Sequence, residues 1–302
     1  MGLTDSVQVP VSASRKGILA WATDVAALSH IFNGVGSAAG VGIGFLVTAW
    51  YAHEAIVPGI CLAAVLATLC ISNGGFIVND IQDLPIDRIN RPDRPLAAGR
   101  LSVTLAWIMY ALYTLLGLIL GLTISPATAL LGLAIAAGLL LYSLTLKKRF
   151  LVGHLLIASL GAVLIPFGGL AEGHLIPTLF TVPMTFCAFA AREILKTIPD
   201  ADGDRANGVE NLTTRYGPRT ATRISQIMLV ICLLSLPLLR LVWPLNGWYL
   251  AGVLVIIYPL TLFFLVRLSR VPDVDYADVK VVLRLSKLLF LLFALVMLIG
   301  SL

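Results

Sequence analysis

Charge is what this 302-residue chain most lacks: 12% of it is Asp, Glu, Lys or Arg, while 59% is hydrophobic and the mean hydropathy is +0.95. A soluble globule carries about 25% charged residues to cover its surface, so that class is excluded and an integral membrane protein is implied. Histidine and cysteine are scarce too, at four each. Cys61, Cys70, Cys187 and Cys232 all lie in apolar stretches, with no CxxC pair and no histidine at ligand spacing. That excludes a disulfide framework and a zinc site. Residues 1–16 are polar and hold no apolar run with a cleavage site, so no cleaved signal peptide is expected. Met1–Ser6 fits a loose myristoylation pattern that nothing else supports. The net charge of +5 and pI of 9.1 come from bases dispersed among loops, so no nucleic-acid partner is expected.

What the chain does have is apolar length. A membrane helix needs about 20 mostly apolar residues, and nine such segments are present, near 28–50, 56–79, 102–122, 126–146, 152–172, 175–195, 219–241, 246–268 and 282–301. The expected fold class is an all-α membrane protein, a single domain over 1–302. Almost every Lys and Arg falls in the loops after the even-numbered segments, and the alternate loops carry only Arg240. By the positive-inside rule those loops and the N-terminus are cytoplasmic, and an odd helix count puts the C-terminus on the opposite side.

Against this background two acidic clusters stand out, Asn79-Asp80-Ile81-Gln82-Asp83-Leu84-Pro85-Ile86-Asp87 and Asp200-Ala201-Asp202-Gly203-Asp204. They follow the second and sixth segments, so both face the cytoplasm, in loops 80–101 and 196–218, and a weak duplication of a four-helix unit is suggested. A carboxylate at the centre of a membrane helix costs roughly 2.5–3.5 kcal/mol on insertion scales, which makes acids in or beside such helices functional candidates. Asn79, Asp83 and Asp87 recur every four residues, as do Asp200 and Asp204, and each set would line one helix face. Pro85 should kink or end the first helix and leave Asp87 to the following loop. Pro199 suits the first turn of a new short helix, with the break at Ile198.

Two carboxylates roughly 4 Å apart repel by about 4 kcal/mol at an effective dielectric of about 20, so converging clusters call for a cation. The donors are all oxygens, which favours Mg²⁺ over zinc or iron, and Mg²⁺ commonly binds substrate phosphates through one or two carboxylates. A diphosphate substrate follows. Arg88, Arg91, Arg94, Arg100, Lys147, Lys148, Arg192 and Lys196 could take the remaining phosphate charge. With an apolar tunnel alongside for an isoprenoid tail, the reaction uniting these parts is metal-assisted departure of diphosphate from an allylic prenyl chain. An EF-hand reading of Asp200–Asp204 fails, because Arg205 and Asn211 stand where Gly and Glu are required. Tyr142 and Lys147 are expected at the same cavity mouth. Asn33 divides between helix packing and substrate contact, Asp24 and His30 read as surface or internally satisfied residues, and His154 and His174 read as interfacial.

At these residues the chain resembles the UbiA-type intramembrane prenyltransferases along its whole length. NDxxDxxxD followed by RPxRPxxxG is matched by Asn79–Asp87 and then Arg91–Gly99, and DxxGDxxxG by Asp200, Gly203, Asp204 and Gly208. The resemblance implies nine helices around a central cavity that opens laterally to membrane lipid under cytoplasmic loops. It implies two Mg²⁺ ions held on a prenyl diphosphate by Asn79, Asp83, Asp200 and Asp204, with Asp80 and Asp87 as supporting or acceptor-side acids. Tyr142, Lys147, Arg94 and Lys196 would bind diphosphate or shield the carbocation.

Within that family, Ile86–Pro95 and Ala191–Lys196 are most similar to archaeal-type geranylgeranylglycerol-phosphate geranylgeranyltransferases, and chlorophyll synthases share the first motif. The chain departs from the ether-lipid pattern at Thr197, at Asn211-Leu212-Thr213 and at His154. The expected reaction is therefore transfer of a geranylgeranyl-like chain to a lipophilic acceptor, geranylgeranylglyceryl phosphate first. An aromatic acceptor, a cyclase needing no acceptor and a cation transporter are the alternatives.

Overall fold

A computed structural model of the chain describes residues 17–147, 149–206, 208–270 and 276–302, without the side chains of 31–33, 90 and 206. Lys148, the side chain of Asn33 and the Met1–Ser6 pattern lie outside the described residues. Those residues form helices and connecting loops and no strand.

The helices, in chain order, are α1 (Ile18–Leu28), α2 (Ile31–Ala52), α3 (Pro58–Gln82), α4 (Leu84–Asn90), α5 (Val103–Ile124), α6 (Pro126–Leu141), α7 (Val152–Ala162) and α8 (Leu164–Glu172). They continue with α9 (Leu175–Leu179), α10 (Val182–Lys196), α11 (Ala201–Ala206), α12 (Leu212–Tyr216), α13 (Pro218–Ser235), α14 (Gly247–Gly252), α15 (Tyr258–Ser269) and α16 (Ala277–Ser301). Among the described residues nine stretches are long and apolar enough to cross a membrane, matching the nine expected from hydropathy. Several are built in pieces. α7 runs into α8, α9 into α10, and α13 into a 3₁₀ turn at Pro237–Leu241. Pro166, Pro183 and Pro237 lie at or near these joins, where a missing N–H interrupts the helical ladder. A π turn at Val253–Ile257 joins α14 to α15 just ahead of Pro259, and a second, Tyr142–Leu146, ends the α6 span without any proline.

Two differences from the hydropathy reading matter. α16 begins at Ala277 rather than 282, because Lys280, Arg284 and Lys287 sit on its exposed side and do not break the helix. α1 was not anticipated: it is a short helix with Ile18, Leu19 and Trp21 exposed.

Lipid-solvated helices gain little from burying apolar surface against one another, so close backbone approach and van der Waals packing must hold them. α2 and α8 show this directly. A Cβ on Gly44 would lie 2.2 Å from the Ile165 carbonyl oxygen, and one on Gly168 would lie 2.1 Å from that of Val41. Around this contact Val41, Phe45, Ala64, Ile71, Ile135 and Phe167 form one buried cluster. A void of about 20 Å³ lined by Thr68, Ile71, Ser72, Ile135, Leu164 and Phe167 lies among the same helices. Leu112, Leu122, Leu130 and Leu234 instead point outward, as a lipid-facing belt requires.

Candidate active site

α3 delivers the first acidic cluster. Asn79 and Asp80 occupy its last turn, and Asp83 ends it while opening α4, whose first turn accommodates Pro85. Asp87 is therefore helical, contrary to the expectation that it falls in a loop, and its N–H donates to the Asp83 carbonyl at 2.8 Å. Asn79, Asp83 and Asp87 follow one another at successive i→i+4 backbone bonds, but their side chains take different partners. Asn79 Nδ2 donates to Asp83 Oδ2 at 2.8 Å. Asp80 and Asp87 are buried and meet at a single guanidinium: Arg94 Nη1 donates to Asp80 Oδ1 at 2.8 Å and to Asp87 Oδ2 at 2.7 Å. His30 Nε2 lies 2.7 Å from the other Asp80 oxygen. Arg100 ties the end of this loop to α1, with Nε 2.9 and 3.0 Å from the Asp24 carboxylate.

The π turn at Tyr142–Leu146 supplies the partner for Asp83. In an α-helix residues five apart are roughly 140° apart around the axis. Here the Lys147 N–H donates to the Tyr142 carbonyl at 2.9 Å, an i→i+5 bond that brings the two onto the same side. Lys147 Nζ is 2.5 Å from both Asp83 oxygens and 3.3 Å from Asn79 Oδ1.

The second cluster follows α10, which ends at Lys196, and α11 begins at Ala201, two residues beyond Pro199. The Asp204 N–H donates to the Asp200 carbonyl at 2.9 Å, so these two do share a helical turn. Asp200 is exposed, and Asp202, 93% exposed, pairs with Arg205. Asp204 is held by Asn211, whose Nδ2 donates to Oδ2 at 2.7 Å while its Oδ1 caps α12 through the Thr214 N–H. Burial and neighbouring Asp200 push the Asp204 pKa up, and the Asn211 hydrogen bond and Lys147 pull it partly back. Thr197 and Thr213 form a buried hydroxyl pair, 2.6 Å apart, that fixes α10 to α12.

The two clusters thus approach one another around Lys147 and Tyr142. Lys147 is paired with Asp83 and within electrostatic reach of Asp204, and Tyr142 is within reach of Asp83, Asp204 and Glu193. Among the described residues no three Asp, Glu, His or Cys side chains close into a ready-made metal cage. The donors that gather here are oxygens of Asn79, Asp83 and Asp204, a set suited to a hard divalent cation that keeps water and phosphate ligands.

Other expected site residues lie apart. Arg94 is committed to Asp80 and Asp87 instead of standing open for phosphate, and Arg88 is exposed on α4. Lys196 Nζ donates to both oxygens of Glu193 at 2.8 Å. Glu193 was missed from sequence. It is buried on α10, Arg192 also reaches it at 3.3 Å, and Arg192 Nε donates to Ser286 on α16 at 3.2 Å. Its signal was a carboxylate inside an apolar segment, a functional candidate on that ground alone. His154 lies near this group, and its buried Nδ1 has no hydrogen-bond partner among the described residues.

Membrane-long helices carrying two acid-bearing loops to a common basic centre define a polytopic, all-helical membrane protein with a polar site at one end of its bundle. The chain belongs to the UbiA prenyltransferase family, which it matches over residues 41–287, and it is an integral membrane prenyltransferase. It is 33% identical over 258 residues to the digeranylgeranylglyceryl phosphate synthase of Saccharolobus solfataricus, spanning 83% of this chain and 88% of the relative. A solved structure of a digeranylgeranylglyceryl phosphate synthase shares its fold with a TM-score of 0.75, at 24% identity over 93% of this chain and 99% of that one. A UbiA homolog from Archaeoglobus fulgidus bound to DMAPP and Mg²⁺ does so with a TM-score of 0.70, at 19% identity over 91% and 99%.

Proposed function

We propose that the chain transfers a geranylgeranyl-like group from its diphosphate to a hydroxyl of geranylgeranylglyceryl phosphate, in a Mg²⁺-dependent reaction at the cytoplasmic face of the membrane. The observation that carries the site is the approach of Asn79 and Asp83 to Asp204 around Lys147 and Tyr142. The relative from S. solfataricus, named digeranylgeranylglyceryl phosphate synthase, supports the acceptor.

In this reading Asn79, Asp83, Asp200 and Asp204 hold two Mg²⁺ ions, which when bound neutralise the departing diphosphate. Lys147 adds a point charge to the leaving group. Tyr142 presents an aromatic face to the allylic cation left behind, an attraction worth about 2 kcal/mol or more when desolvated. The acceptor oxygen captures that cation and releases its proton. Asp80, Asp87 and Arg94 act differently: they lock the loop after α3 so that Asp83 keeps its direction, which makes them positioning residues. Lys196, held by Glu193, and Arg88 at the surface are left to meet the acceptor headgroup.

Purified protein given geranylgeranyl diphosphate, Mg²⁺ and geranylgeranylglyceryl phosphate should form the diether, detected by mass spectrometry. Asp83→Asn and Asp204→Asn should each lower turnover by at least about 10²-fold, the scale of losing one group aimed at developing charge. Product with an aromatic acceptor alone, or a cyclic hydrocarbon with no acceptor, would replace the ether-lipid reading. An Asp83→Asn change that altered ion uptake while diphosphate turnover was absent throughout would replace the enzyme reading with transport.

A further inference from the structure

Lys147 makes an unusual set of contacts for a residue whose task is to bind phosphate. Its ammonium touches both oxygens of Asp83, at 2.5 Å each, and the amide oxygen of Asn79 at 3.3 Å. Asn79 closes the group by donating its own Nδ2 to Asp83 Oδ2 at 2.8 Å. A carboxylate approached through both oxygens, with an amide oxygen beside it, is the contact pattern of a hard cation. Here the chain's own ammonium occupies it. The same three oxygens cannot hold an ammonium and a divalent ion together, since the two cations would repel across a few ångströms in a partly buried site.

The lysine is also built to leave. Its side chain is 33% exposed, against 16% for Asp83, and its four-carbon stem is flexible. Asp204, on the other loop, lies within its electrostatic reach. A diphosphate arriving between the loops would offer the ammonium a stronger anion than the one it gives up.

Building on the reading above, we propose that Lys147 is an exchangeable internal counter-ion: it neutralises Asp83 until metal and diphosphate arrive together, then passes from the carboxylate to the diphosphate. Free metal must displace an ion pair, so it binds weakly alone. Metal brought with diphosphate gives the lysine a new partner, so the two ligands bind cooperatively and reciprocally. Removing the lysine should therefore tighten metal binding in the absence of diphosphate, the reverse of what loss of an ordinary site residue does.

The test is Mn²⁺ titration of the full chain in lipid nanodiscs, read by electron paramagnetic resonance, with and without an unreactive geranylgeranyl thiolodiphosphate. Lys147→Met should bind Mn²⁺ alone about ten-fold more tightly than wild type, given the charge repulsion removed. The analogue, whose phosphates are themselves metal ligands, should tighten Mn²⁺ binding to both, but by a clearly larger factor in wild type than in Lys147→Met. Lys147→Arg, which keeps the charge, should stay weak with metal alone. Lys147→Gln serves the same purpose if the methionine variant does not fold, as judged by its melting temperature. Equal or weaker Mn²⁺ binding by both neutral variants, with binding still dependent on Asp83, would overturn the exchange and leave the proposed function standing. No Mn²⁺ binding by any form, even with the analogue, would overturn both.

Discussion

Across the junction of α3 and α4 each of three carboxylates has a cation: Asp80 and Asp87 share Arg94, and Asp83 has Lys147. In the loop after α10 the arrangement is open, with Asp200 exposed and Asp204 held by the neutral amide of Asn211. Two motifs that look alike as strings of aspartates are thus electrostatically unlike. The first is a cation-paired scaffold with one exchangeable contact, and the second is an acidic surface that gains from any added cation. A site divided this way can hold one half rigid while the other adapts to a ligand.

The sharpest way to break this contrast is to remove its central cation. Arg94→Ala would leave buried Asp87 unpaired and Asp80 with His30 alone, and should cost about 3 kcal/mol, read from thermal or denaturant unfolding in detergent. Loss of less than about 1 kcal/mol would mean the first cluster is no more tightly paired than the second.

Asp204→Asn should act in the opposite direction. Its folded pKa lies above the unfolded one, so the ionised form lowers stability at pH above the folded value, and the penalty vanishes once pH falls below the unfolded value. At neutral pH the Asn variant should therefore melt at the same temperature or higher, while losing the stabilisation that Mg²⁺ with diphosphate gives to wild type. A lower melting temperature without metal would contradict the open second loop.

Asn211→Ala is a subtler probe. Loss of the α12 cap should cost about 1 kcal/mol. Loss of its bond to Asp204 should move the acid limb of Mg²⁺-dependent stabilisation to higher pH, because a hydrogen bond that favours the carboxylate is gone. Asn211→Ser, which keeps an N-cap oxygen, should recover stability but not the pH limb. Smallest of all, Arg205→Ala removes an exposed partner of Asp202 and should change stability by no more than about 0.5 kcal/mol.

Much of this was legible in the chain itself. Apolar length alone marks the nine spans, because the bilayer imposes one dimension on all of them. The acidic clusters are visible because a carboxylate near a membrane is costly enough to require a reason. Partnerships were not legible. Asp24 and Arg100 are 76 residues apart and His30 and Asp80 are 50 apart, and only the fold brings them together. Spacing puts Asp87 one helical turn past Asp83, but it could not show that Asp87 pairs with Arg94 while Asp83 pairs with Lys147. Nor could residue type separate Arg94, already committed to two acids, from Lys147, held by one.

The π turn at Tyr142–Leu146 has a consequence of another kind. It holds one residue more than α-helical closure needs, and that surplus swings Lys147 round to the side of Tyr142 and Asp83. Re-closing the segment as ordinary α-helix with every residue kept would turn the lysine away by roughly 100°, whereas excising any one residue from 143–146 would let it close as α-helix with the lysine four places from Tyr142 and still on its side. What places the ammonium is thus the i→i+5 closure of the backbone. No single side chain carries it, and a survey of residue types alone would pass over it.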